Sequence, residues 1–126
     1  MAALTDLRAD LATAIESVAQ VSAFGFLPER IVPPVAVISP ASPYLSIDID
    51  GGVYGEHLVN FRVDIVSSTQ ANSMRTEAID ELIEMVYAGL IAEGWLVGQV
   101  TQPYGMQANN ATYLAVTIEV AAHNKF

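Results

Sequence analysis

The chain has 126 residues, 52% of them hydrophobic and only 15% charged, and its fourteen acids against five bases leave a net charge of −9. The five bases, Arg8, Arg30, Arg62, Arg75 and Lys125, form no cluster, which argues against a nucleic-acid grip built on neutralised phosphates. Cysteine is absent, which excludes disulfides and thiolate metal sites.

This length predicts one domain over residues 1–126, with roughly two-thirds of the unfolded chain's surface buried. A positive mean hydropathy of +0.39 admits two readings. Either part of the apolar surface is covered by partners, or the fold is simply rich in Ala and Val. Asp6, Arg8 and Asp10 interrupt the N-terminal apolar pattern, unlike a signal peptide. No apolar run approaches the ~20 residues that span a bilayer, so the expectation is a protein without a membrane partner, assembled in the cytoplasm.

Leu4 to Gln20 reads as a helix, with Leu4, Leu7, Leu11, Ile15 and Val18 at three- and four-residue spacing and Arg8, Asp10, Thr13, Glu16 and Gln20 opposite. Thr5 is its candidate N-cap. Ser22 to Glu29, with Gly25 and Pro28, reads as a loop or bend. After Pro33-Pro34, the apolar run Val35 to Ile38 suits a strand buried on both faces, closed by Pro40 and Pro43. Tyr44 to Asp50 alternates, Asp50-Gly51-Gly52 signals a turn, and Gly55 opens the next strand, so residues 44–66 read as an antiparallel hairpin. In that second arm Val59, Phe61, Val63 and Ile65 share one face, with Leu58, Asn60, Arg62 and Asp64 on the other.

A second helix is expected from about Asn72 to Glu93, with an apolar stripe at Ile79, Leu82, Ile83, Val86 and Leu90. Gly94 is its natural C′ residue. Trp95 to Thr101 reads as a strand weakened by Gly98, and Gln102 to Asn110 as a polar loop. In the last strand Thr112, Leu114, Val116, Ile118 and Val120 alternate with Tyr113, Ala115, Thr117 and Glu119. The order α-β-β-β-α-β-β predicts an α+β domain, an antiparallel-rich mixed sheet covered by two helices.

No catalytic constellation is visible. The histidines are His57 and His123, and no G-x-S-x-G elbow occurs, so no enzyme, cofactor or bound metal is expected. Asp48, Asp50, Glu56 and His57 flank one turn and have the chemistry to ligate a divalent cation. The calcium-loop pattern, however, needs another acid or amide where Gly52 stands. A solvated acidic hairpin is the simpler reading, since charges at strand edges oppose unwanted pairing. Gly51 to Gly55 lacks the Lys-Ser/Thr of a phosphate loop and precedes a strand, so it reads as a hairpin tip. Trp95 reads as a packing residue. Tyr54, Tyr104 and Met106 fall in loops, where large apolar side chains serve either partner contact or local packing.

The Pro-bracketed strand Ile31–Pro40, the strand ending Asp64-Ile65-Val66, the Arg75-Thr76 helix start and the late strand Ala111–Val120 together resemble the tail terminator (tail completion) proteins of long-tailed, non-contractile bacteriophages. That resemblance implies a virion protein forming a hexameric ring on the head-proximal end of the tail tube. The ring would stop tube polymerisation and dock a head-side connector or head-closure protein, with DNA passing through its lumen unbound. It carries no cofactor or catalytic residue. The interface candidates are the loops expected to be exposed, with Asp48, Asp50, Tyr54, Glu56 and His57 in one and Tyr104, Met106, Asn109 and Asn110 in the other. Another head–tail neck protein, or a small-molecule-binding α+β module, are the alternatives.

Overall fold

The computed structural model of the chain describes residues 3–19, 21–25, 34–47, 56–68, 73–108 and 111–125. Two helices and six strands follow one another as α1 (Ala3–Ala19), β1 (Ser22–Phe24), β2 (Val35–Ile47), β3 (Glu56–Ser68), α2 (Ser73–Ala92), β4 (Leu96–Val100), β5 (Tyr104–Ala108) and β6 (Ala111–Lys125). The α+β class, the mixed sheet and the order expected from the sequence are all present, although β1 and β5 are strands not expected at those residues and the two strands expected across 35–50 are one.

The sheet runs β1-β2-β3-β6-β4, with β5 also pairing β6. Among the described strands only β1 and β2 pair in parallel. β3 and β6 pair antiparallel from Glu56↔Lys125 to Ser68↔Leu114 and form its spine. On one face Val59, Phe61, Val63 and Ile65 of β3 meet Val116, Ile118 and Val120 of β6 under Leu11 and Ile15 of α1 and Ile79, Val86 and Leu90 of α2. Each large apolar side chain taken fully out of water there contributes roughly 1.5–3 kcal/mol. The period-two and helical-stripe readings of β3, β6 and α2 therefore place the core.

Close helix packing depends on one glycine. A Cβ on Gly89 would lie 2.5 Å from the Val18 Cβ, so no other residue lets α2 approach α1 this closely. Gly94 ends α2 as expected, at φ 94°. The Trp95 amide donates to Leu90 O at 3.0 Å and the Gly94 amide to Ile91 O at 3.1 Å, the paired bonds of a Schellman cap. Trp95 packs against the main core.

Four local expectations are revised. Thr5 lies inside α1, which begins at Ala3, so it is not the N-cap. Part of the stretch read as a bend, Ser22–Phe24, is strand β1, drawn into register beside Val35–Val37. The two short strands expected across 35–50 are one strand, β2. Its pairing with β3 shifts between Pro40 and Leu45, and Ser42-Pro43 is a cis peptide; β1 pairs only with Val35–Val37, so among the described strands β2 is the edge at this point, where a bulge tolerates proline. Tyr104–Ala108, read as loop, is β5, paired with β6 from Tyr104↔Ala115 to Ala108↔Ala111.

Candidate interaction surface

Opposite the helices, the second face of the sheet carries the alternate residues of β2, β3 and β6. At one end Val35, Val66, Tyr113 and Ala115 form a small buried cluster, with Phe24 and Tyr104 packed against it. Beside it lies a polar network centred on Asp64. Register sets Asp64 opposite Thr117, and the Thr117 hydroxyl donates to Asp64 Oδ1 at 2.6 Å. That leaves the Thr117 oxygen to accept from the Tyr104 hydroxyl 2.9 Å away. Arg62 Nε donates to the same Asp64 oxygen at 3.2 Å. The carboxylate at its side holds the Arg62 guanidinium's pKa above its ordinary value, chiefly through charge attraction and then through this hydrogen bond. Arg62 is half exposed, so solvent screens the pair and its worth to stability is small.

Thr101 fastens the β4–β5 junction to the same place. Its amide donates to Thr117 O at 2.9 Å, and its hydroxyl accepts from the Thr117 amide at 3.0 Å. The network thus fixes where β4 ends and β5 begins. Chemically it is a positioning device, since each polar group in it already bonds to another.

Toward the other end, an open groove of about 530 Å³ runs between the β2 bulge and β4, with Ser42, Pro43, Asn60, Leu96, Gln99 and Glu119 among its lining residues. Asn60 Nδ2 shapes its wall by donating to Pro43 O at 3.1 Å and to Ser46 Oγ at 3.0 Å.

The interface candidates divide between two sites. Asp48, Asp50, Tyr54, Asn109 and Asn110 lie outside the described residues. Glu56 and His57 open β3, paired with Lys125 and Asn124. Tyr104 and Met106 sit on β5, paired with Ala115 and Tyr113. Tyr104 is not a loop residue but a partly buried strand residue bound to Thr117. The two hairpins end at Ile47↔His57 and Ala108↔Ala111. Because His57 faces Asn124, those ends are thirteen residues apart along β6, roughly 40 Å of strand at about 3.3 Å per residue. The described ends of the two hairpins thus lie at opposite poles of the sheet.

Sequence reasoning passed over two features. From Met85 to Ala92 no residue of α2 is charged, and Met85, Tyr87 and Ile91 are 44%, 37% and 50% exposed. A helix apolar all round is normally covered on every side, so this half of α2 has an uncovered apolar side among the described residues. The second feature is where the sheet keeps its charge. Every charged strand residue lies on β3 or β6, the two central strands, while β1, β2, β4 and β5 carry none. Both features were there to be read as uncharged runs, once the elements were known.

Compared with models of known protein families, the chain matches none, and no curated protein matches it.

Proposed function

We propose that this chain is the subunit of a ring that caps the head-proximal end of a phage tail tube, halting tube polymerisation and docking a head-side connector. One observation carries the reading furthest: the two hairpins end at opposite poles of one continuous β3–β6 spine. A terminator must meet the tube on one side and the head on the other, and a rigid antiparallel pair with a contact region at each end suits that task. The exposed apolar side of α2 supports it further, as surface for neighbours in the ring. Repeated head-to-tail contacts that close make such a ring.

Tail length tests the proposal. Phage lacking the chain should assemble tubes far beyond normal length, and purified chain added to polymerising tube protein should stop their growth. Tails of normal length in its absence would overturn the terminator reading and assign the chain to head-side joining. Ligand-dependent thermal stabilisation without any effect on tubes would instead favour a binding module built on the groove beside Asn60 and Glu119.

A further inference from the structure

We infer that the outer edge of β4 and β5 is a strand-pairing surface, and that its partner is an extended strand of a second copy of this chain. β4 and β5 both lie along one side of β6, and among the described residues no strand pairs with their other side. The edge is open to solvent: Leu96, Gly98, Gln99, Thr101, Gln102, Pro103, Gly105 and Gln107 are all exposed. A strand edge presents a row of free amides and carbonyls, and proteins that stay apart guard such rows with charges, above all lysine. Here the guard is missing. From Trp95 to Ile118 no residue carries a charge, and Pro103 alone withholds a backbone donor.

Charge also selects the partner. At −9 the chain carries a net charge that repels its own copies. A second copy meets no such repulsion along Leu96–Ala108, and there the approach is repaid by backbone hydrogen bonds that need no side-chain complementarity. The other side of the sheet is closed to this mode. β1 is three residues long, its Ala23 amide already donates to Glu16 Oε2 at 3.2 Å, and β2 beyond it carries Pro40, Pro43 and a register shift. With the β1–β2 side closed, the strand that a second copy offers is its own β4–β5 edge, a two-fold pairing separate from the head-to-tail contacts of the ring proposed above.

Sedimentation velocity and amide hydrogen exchange, run together on dilute and concentrated protein, test the inference. The expected result is a discrete oligomer in which the β4 and β5 amides exchange about tenfold or more slowly than in the dilute chain, while Ala23 is unchanged. A Q99E/Q102E variant, altered only at exposed positions, should keep the Tm of the dilute parent and require about tenfold more protein to associate, a shift of about 1.4 kcal/mol. An oligomer whose β4 and β5 amides exchange as they do in the dilute chain overturns the edge assignment and leaves the ring reading standing. A chain that is monomeric throughout overturns the second-copy partner, as does protection of the edge by tube protein alone; tail length then decides the ring reading by itself.

Discussion

The two sides of the sheet solve the same problem in opposite ways. On the β1–β2 side the outermost strand is only Ser22–Phe24, and α1 reaches over to occupy it. Glu16 accepts from the Ala23 amide, and Arg8 donates to Gly25 O at 3.4 Å and to the Tyr44 hydroxyl at 3.1 Å. On the β4–β5 side nothing among the described residues performs this service. The strands there are longer, uncharged and exposed, yet they are held firmly in place by Thr101 and Tyr104 bonding to Thr117. One side spends its polar side chains on closing the edge, the other on positioning an edge that stays open. In a chain of net charge −9, leaving that long segment uncharged removes charge repulsion from one of its surfaces.

The largest perturbation tests what the two sides share. Phe61 is fully buried at the centre of β3, and its ring meets Tyr44 edge-on at 6.0 Å, the same Tyr44 that Arg8 holds. Phe61→Ala should cost roughly 3–5 kcal/mol, read as a lower midpoint in urea unfolding. Its local effect should fall on the β1–β2 side, with faster exchange at Tyr44 and Leu45 than at Tyr104 and Gly105. Equal loosening of both sides would mean that the contrast belongs to the edges alone and not to the packing beneath them.

A smaller effect is expected from the network that holds the open edge. Thr117→Val removes a hydroxyl that donates to a carboxylate at 2.6 Å and leaves Tyr104 without its nearest partner, a loss of roughly 1–3 kcal/mol. Thr117→Ser keeps the hydroxyl and should recover most of that loss. Exchange across Thr101–Gly105 should quicken in the valine variant and not in the serine one. An unchanged rate in both would show that backbone pairing alone positions β5, and that the Asp64 cluster plays no part in presenting the edge.

That cluster marks where reading from the sequence stopped. The spine was legible because Val59–Ile65 and Leu114–Val120 alternate cleanly, and α2 because its stripe repeats at helical spacing and ends at Gly94. Register between β3 and β6 was not legible. Asp64 and Thr117 are 53 residues apart, and only pairing of the folded strands brings them opposite one another. β5 was hidden for a different reason. Pro103, Gly105 and the Asn109-Asn110 pair are loop punctuation by local propensity, but a strand that needs only one neighbour tolerates them at its ends. The same rule concealed the unity of β2, where Pro40 and Pro43 read as terminators and instead sit at a register shift. Local chemistry thus identified the interior of the sheet and β4, expected at Trp95–Thr101 and found at Leu96–Val100, but missed β1 and β5, which are strands by virtue of their partners.

The smallest predicted effect bears most directly on the contrast between the edges. Glu16 is exposed, and its bond to the Ala23 amide is made at the surface, so Glu16→Ala should lower stability by no more than about 1 kcal/mol. Exchange at Ala23 should nevertheless accelerate, because that amide loses its only acceptor outside the sheet among the described residues. Self-association should not change: three residues offer too few backbone bonds to hold a second chain, and the prolines of β2 interrupt any extension of the pairing. If the variant instead acquires a new, larger species by sedimentation, the carboxylate alone was keeping that edge closed, and strand length counts for little. The guarded and unguarded sides would then differ by a single side chain. Gln99→Glu and Glu16→Ala would become opposite moves on the same switch.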